Sequence, residues 1–170
     1  MDNGNRNQSG WRRKPSIAKL KALAPNEIIP KLPYSQPFLF VDAISAVDDS
    51  KIEGAFTFRK ELAFYDGHFK NKPVTPGVIL TECCAQIGLV CLGIYLIAQN
   101  QLEANQIAMT SSEMEFLKAV FPGETVKVVS EKVYFRFGKL KCRVKMFDTS
   151  ETLVCQGTLS GMIVKSDDGE

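Results

Sequence analysis

The chain has 170 residues, of which 45% are hydrophobic and 24% charged, with a formal net charge of +2. That length and balance suit one globular domain with a sizeable core and exclude a low-complexity or strongly charged disordered chain. Five cysteines, Cys83, Cys84, Cys91, Cys142 and Cys155, form no CxxC pair and fall mostly at apolar positions, so reduced thiols are expected, with no metal and no cofactor. Met1 to Lys31 hold seven Lys/Arg against Asp2 and Glu27, a net of +5 that leaves −3 for the rest. Residues 1–25 therefore read as a basic extension, disordered over Met1–Gly10, with a short helix capped by Ser16 running to Leu23 before Pro25. A solubilising or subunit-packing tail fits this arm better than a nucleic-acid contact. Met1–Gly10 is polar and lacks the pattern of a secretory signal, so a cytoplasmic location is the expectation.

Residues 26–165 read as the folded domain and 166–170 as a polar tail. Asn26–Leu32 suggests a short helical piece. Phe38–Val47 and Lys51–Phe58 suggest strands joined by the turn Asp48-Asp49-Ser50. The stretch from Asp66 to Ala98 is the most informative. It begins Asp66-Gly67-His68-Phe69-Lys70-Asn71-Lys72-Pro73-Val74-Thr75-Pro76-Gly77 and continues as an apolar segment carrying one charge, Glu82. Pro76 suits a first helical turn, which predicts a helix starting at Thr75 to Gly77. Apolar on nearly every face, this helix is predicted to be surrounded by protein. Its length approaches the roughly 20-residue membrane span. Glu82, Gln86 and the strand patterns that follow argue instead for the core helix of a soluble domain, with no membrane span.

After a polar connection over Gln99–Asn105, Ile107–Phe116 resumes extended structure and Phe121-Pro122-Gly123-Glu124 reads as a turn. From there apolar residues recur every second position: Val126 and Val128; Val133, Phe135 and Phe137; Leu140, Cys142, Val144 and Met146; Leu153, Cys155, Gly157 and Leu159. These are predicted antiparallel strands with one buried face, and only the Glu82 helix is long and apolar enough to cover it. The fold class expected is α+β, a long antiparallel β-sheet wrapped around one central apolar helix.

Two residues stand out chemically. The only histidine, His68, lies fourteen residues before Glu82, a carboxylate with no local partner. Glu82 and Gln86 share one helix face by their i, i+4 spacing. A buried, unpaired carboxyl is expected to be held as the acid, and with an imidazole it forms a general acid/base pair. On residue types alone a loop histidine and a satisfied core glutamate compete with that reading.

The run Gly67-His68-Phe69-x-x-Lys72-Pro73-x-x-Pro76-Gly77-Val78-x-x-x-Glu82-x-x-Ala85-Gln86 resembles the active-site signature of the FabZ-type 3-hydroxyacyl-[acyl-carrier-protein] dehydratases, which have the hot-dog fold. Leu32-Pro33-Tyr34-Ser35-Gln36-Pro37-Phe38-Leu39-Phe40-Val41-Asp42, Glu115-Phe116-Leu117-Lys118 and Pro122-Gly123-Glu124 extend the resemblance over Asn26–Val164. The resemblance implies dehydration of a 3-hydroxyacyl thioester to the trans-2-enoyl thioester. It makes His68 the base at C2, Glu82 the group that protonates or orients the hydroxyl, and the backbone N–H of Gly77 the donor to the thioester carbonyl. Gln86 and Phe69 are accessory candidates, Gln86 either holding the Glu82 carboxyl or serving as a satisfied polar core residue. Phe64, Val74, Leu80, Cys84 and Met109 are candidate apolar walls of an acyl tunnel and fit an ordinary core equally well. The family pattern also implies a homodimer in which the His loop of one subunit faces the Glu helix of the other, with trimers of dimers common, and an acyl carrier protein as partner.

Between Val126 and Lys145 seven basic residues, among them Lys141 and Arg143, face Glu131 alone. They suit attraction of an acidic carrier or, more economically, a solvated strand face. Departures from the family pattern are Tyr34-Ser35 in place of His-Arg after Leu-Pro, Asn71 in place of Gly, Cys83-Cys84 in place of Ala-Met, and Asp66 in place of a neutral residue. They leave open a specialised lipid, polyene or polyketide route beside bulk fatty-acid synthesis. A hot-dog thioesterase and a non-catalytic acyl-binding subunit are the alternative readings.

Overall fold

The computed structural model describes residues 22–102 and 106–164. The basic extension up to residue 21, its predicted Ser16 helix, the end of the Gln99–Asn105 connection and the polar tail lie outside the described residues. Two 3-10 turns, Pro25–Glu27 and Ile29–Lys31, stand where a short helical piece is expected. Strand β1 is Ala43–Val47 and β2 is Lys51–Thr57, joined at Asp48, whose carboxylate accepts from the Ser50 N–H, the Ser50 hydroxyl and the Lys51 N–H. A 3-10 turn at Ala63–Asp66 leads into the histidine loop. The helical segments α1, Gly77–Ala85, and α2, Leu92–Gln99, are joined through a π-helical stretch, Gln86–Cys91. Strands β3 (Gln106–Phe116), β4 (Thr125–Arg136), β5 (Lys139–Asp148) and β6 (Leu153–Val164) complete the chain.

All pairings are antiparallel and the sheet order is β1-β2-β4-β5-β6-β3, so β1 and β3 are its edges. Gly77–Gln99 is long and apolar enough to cross a membrane, but 72% of its most apolar window is buried inside the fold, because the sheet curls around it. Leu140, Cys142, Val144 and Met146 of β5 all point into this core, as their alternation predicts. Two glycines let helix and sheet approach closely. A Cβ on Gly88 would stand 2.9 Å from Ser130 Cβ and Val144 Cγ1, and one on Gly54 would stand 2.8 Å from Ile87 Cγ2. The π-helical turn changes the carbonyl pairing at this crossing. Ser130, fully buried, donates its hydroxyl to the Gly88 carbonyl at 2.8 Å.

Two expectations need correction. Phe38–Asp42 is not strand. A cis peptide at Gln36–Pro37 turns the chain there, and ladder pairing starts only at Ala43. In β4 the alternation breaks, because the register shifts between Lys132 and Tyr134. Val133 bulges out and is 43% exposed, while Phe137 occupies the β4–β5 turn at φ 52° and is 96% exposed. The helix starts at Gly77, inside the range expected, with Pro76 as its N-cap.

Candidate active site

The histidine loop is built from short local bonds. The His68 N–H donates to the Phe64 carbonyl at 3.0 Å, the Val74 N–H returns to the His68 carbonyl at 3.3 Å, and the Lys72 N–H reaches Phe69 O at 3.1 Å. Below it the Tyr65 hydroxyl and Thr75 Oγ1, both buried, are 2.5 Å apart, and the Thr75 N–H donates to Val120 O at 2.8 Å, which anchors the loop to the core. His68 is half-buried and its Nδ1 lies 2.8 Å from the Val74 carbonyl. A carbonyl only accepts, so Nδ1 carries the proton and Nε2 presents a free lone pair. The ring stacks on Phe69, with centroids 4.3 Å apart, and Phe69 itself is 62% exposed.

Glu82 differs from the buried, unpaired group expected. It is half-buried, and its Oε1 accepts a hydrogen bond from Gln86 Nε2 at 2.8 Å. Gln86 is fully buried and also fastens the segment after the cis proline. Its Nε2 donates to Phe38 O and its Oε1 accepts from the Phe40 N–H, both at 2.8 Å. The two uses foreseen for Gln86, holding Glu82 and being a satisfied core residue, coincide in one side chain. Tyr34, noted in the sequence only as a departure, belongs to this same corner, its ring centroid 6.2 Å from that of Phe38.

Gly77 opens helix α1, and its N–H has no partner among the described residues. A Cβ here would meet the Phe116 ring at 3.2 Å. With Thr75, Leu80, Phe116, Leu117, Lys118 and Ala119, Gly77 lines a cleft of about 270 Å³ at the positive end of the helix. Leu80 thus faces this cleft, while Val74 is half-buried in the histidine loop and Phe64 packs on Tyr65 at 4.5 Å. Cys84 is buried against β6, its sulfur 4.0 Å from that of Cys155, and its contact with that thiol together with burial pushes its own thiol well up. Met109, 43% exposed, stands apart on edge strand β3. Lys141 and Arg143 lie on β5 away from the cleft, on the alternate positions between buried Leu140, Cys142 and Val144, with Arg143 exposed and opposite Glu131 in the ladder. Within one chain no hydrogen bond or ion pair joins His68 to Glu82 among the described residues.

A helix wrapped by a six-stranded antiparallel sheet, with the histidine loop at the helix start, is the hot-dog architecture. Solved structures share it. The dehydratase heterocomplex ApeI:P from Xenorhabdus doucetiae superposes with a TM-score of 0.66 at 14% identity, over 85% of this chain and 93% of that one. A hypothetical thioesterase with coenzyme A from Streptococcus pneumoniae TIGR4 gives 0.54 at 16% identity, over 72% and 84%. The FabA-like domain family matches residues 32–156. The 3-hydroxyacyl-[acyl-carrier-protein] dehydratase FabZ of Ehrlichia ruminantium (strain Gardel) is 32% identical over 145 residues, 82% of this chain and 96% of the relative. That of Herpetosiphon aurantiacus is 31% identical over 147 residues, 84% and 99%. The chain therefore belongs to the FabA-like family, among its FabZ-type 3-hydroxyacyl-[acyl-carrier-protein] dehydratases.

Proposed function

We propose that this protein removes water from a 3-hydroxyacyl thioester carried on an acyl carrier protein, giving the trans-2-enoyl thioester for fatty-acid or a related lipid-like synthesis. The observation that carries the reading is the pairing of a histidine with a fixed free lone pair and a carboxyl held in place by a buried amide, within one family signature.

Elimination needs a base for the C2 proton, an acid for the departing hydroxyl and donors for charge developing on the thioester oxygen. His68 Nε2 takes the C2 proton, since Nδ1–H is committed to Val74 O. Glu82 delivers its proton to the C3 oxygen, its carboxyl aimed by Gln86. The Gly77 N–H, at the start of α1, accepts the role of carbonyl donor; one such donor is typically worth about 3 kcal/mol of barrier. The absent side chain lets substrate reach that N–H beside the Phe116 ring.

His68 and Glu82 of one chain act in different sites, each completed by the other copy in a homodimer. Exposed Phe69, Val78, Phe116 and Leu117 around the helix start are the apolar surface that a second copy covers. Lys141 and Arg143, which form no ion pair among the described residues, supply attraction for an acidic carrier from the alternate face of β5. The test is to mix the purified protein with 3-hydroxyacyl thioesters on carrier protein and on a small thiol and follow water loss by mass spectrometry. Turnover that disappears in both His68→Ala and Glu82→Gln is expected. Release of free thiol instead would make the protein a thioesterase, and inert but folded protein would make it a binding subunit.

A further inference from the structure

Resting on the dehydratase reading, we propose that the Tyr34 hydroxyl donates a hydrogen bond to the C3 oxygen of the substrate as that oxygen leaves, beside Glu82. The stretch that carries Tyr34 is tied directly to the catalytic carboxyl. The Phe38 N–H donates to Ser35 O at 2.8 Å, closing the turn around the cis Gln36–Pro37 peptide, and the Tyr34 ring lies against Phe38. The Phe38 carbonyl accepts from Gln86 Nε2, and that same nitrogen holds Glu82 Oε1, each at 2.8 Å. One buried side chain thus fastens both the tyrosine turn and the carboxyl.

Within this corner a donor and an acceptor are left without partners among the described residues: the hydroxyl of half-buried Tyr34 and the second carboxyl oxygen of Glu82. Burial above all pushes the Tyr34 hydroxyl above its ordinary range, so it stays a protonated donor. A hydroxyl oxygen has two lone pairs. In the elimination His68 takes the C2 proton, that electron pair forms the C2–C3 double bond, and the C3–O bond breaks. One lone pair of the leaving oxygen takes the Glu82 proton to become water, and the other accepts from Tyr34, which keeps its own proton. A fixed donor at an oxygen gaining negative charge lowers the barrier more than it strengthens ground-state binding.

The test compares Tyr34→Phe and Tyr34→His in the full chain on a 3-hydroxyacyl small-thiol thioester, with Glu82→Gln alongside. Tyr34→Phe keeps the ring and loses the donor, so kcat falls about 10-fold or more while KM stays within about twofold and the melting temperature is unchanged. Tyr34→His retains an N–H, in the residue that the related signature usually places there, and recovers most of the lost rate. Parental kcat in Tyr34→Phe, or equal impairment of both variants, overturns the proposal, the second by assigning the effect to ring shape. Parental turnover in Glu82→Gln overturns the role of Glu82 and with it this proposal, whereas a parent protein that loses no water from the substrate overturns the dehydratase reading itself, whatever the Tyr34 variants do.

Discussion

Gln86 joins parts of the chain that sequence distance separates: a carboxyl one helical turn away and two backbone groups 46 and 48 residues earlier. Replacing it with leucine fills the same space while leaving the Phe40 N–H, in a buried residue, without its partner. An unpaired buried donor costs about 1–3 kcal/mol, so Gln86→Leu is expected to lose about that much in urea unfolding. Its larger effect falls on turnover, because Glu82 then has no fixed rotamer; misplacing a reacting group by about 1 Å costs on the order of 100-fold. A kcat within twofold of the parent, in folded protein, would show that Glu82 is aimed by something else. At this scale the catalytic candidates were legible because each is isolated in kind: one histidine in the chain and one charge in an apolar helix. Gln86 as a clamp was only half legible. The i, i+4 bond to Glu82 follows from helix geometry, but its other two bonds go to backbone atoms, which leave no residue-type signal.

The elements were legible where one period holds throughout. Strand β5 alternates without interruption from Leu140 to Met146 and buries every second residue. Strand β4 keeps its period only to the shift at Lys132/Tyr134, after which a template of period two assigns Val133 to the wrong side. The π-helical stretch Gln86–Cys91 was not legible, since nothing in its residue types separates it from the α-helix on either side. Its location makes it consequential. It begins at the residue that holds Glu82, and it crosses the sheet at Gly88, against Ser130 and Val144. Gly88→Ala must push the helix outward or distort two strands, and overpacking of this kind costs about 1–3 kcal/mol. For a chain of this size that lowers the melting temperature by about 2–4 °C per kcal/mol. Calorimetry reads this directly, and a melting temperature unchanged to within about 1 °C would mean that the sheet yields freely at the crossing.

For the whole molecule, the proposed homodimer needs a surface that a second copy would cover. The sheet ends at β3, whose outer backbone edge has no neighbouring strand among the described residues, and at that strand's end Phe116 is 48% exposed with Leu117, 51% exposed, beside it. At the start of the helix Val78 is 76% exposed, the most exposed position of an otherwise enclosed segment. An apolar residue so placed gains nothing in a solitary chain, where glutamate at the same position would complement the helix dipole by about 0.3–1 kcal/mol. In an assembly whose second copy packs on the helix start, the same glutamate would be a buried, unpaired carboxyl costing several kcal/mol. Val78→Glu therefore separates the two cases by sign. The dimer predicts a variant that sediments as a monomer, whose remaining turnover rises steeply with protein concentration, although neither His68 nor Glu82 has been touched. A variant that stays dimeric and active would move the interface away from the helix start, and His68 and Glu82 would then have to meet substrate within a single chain.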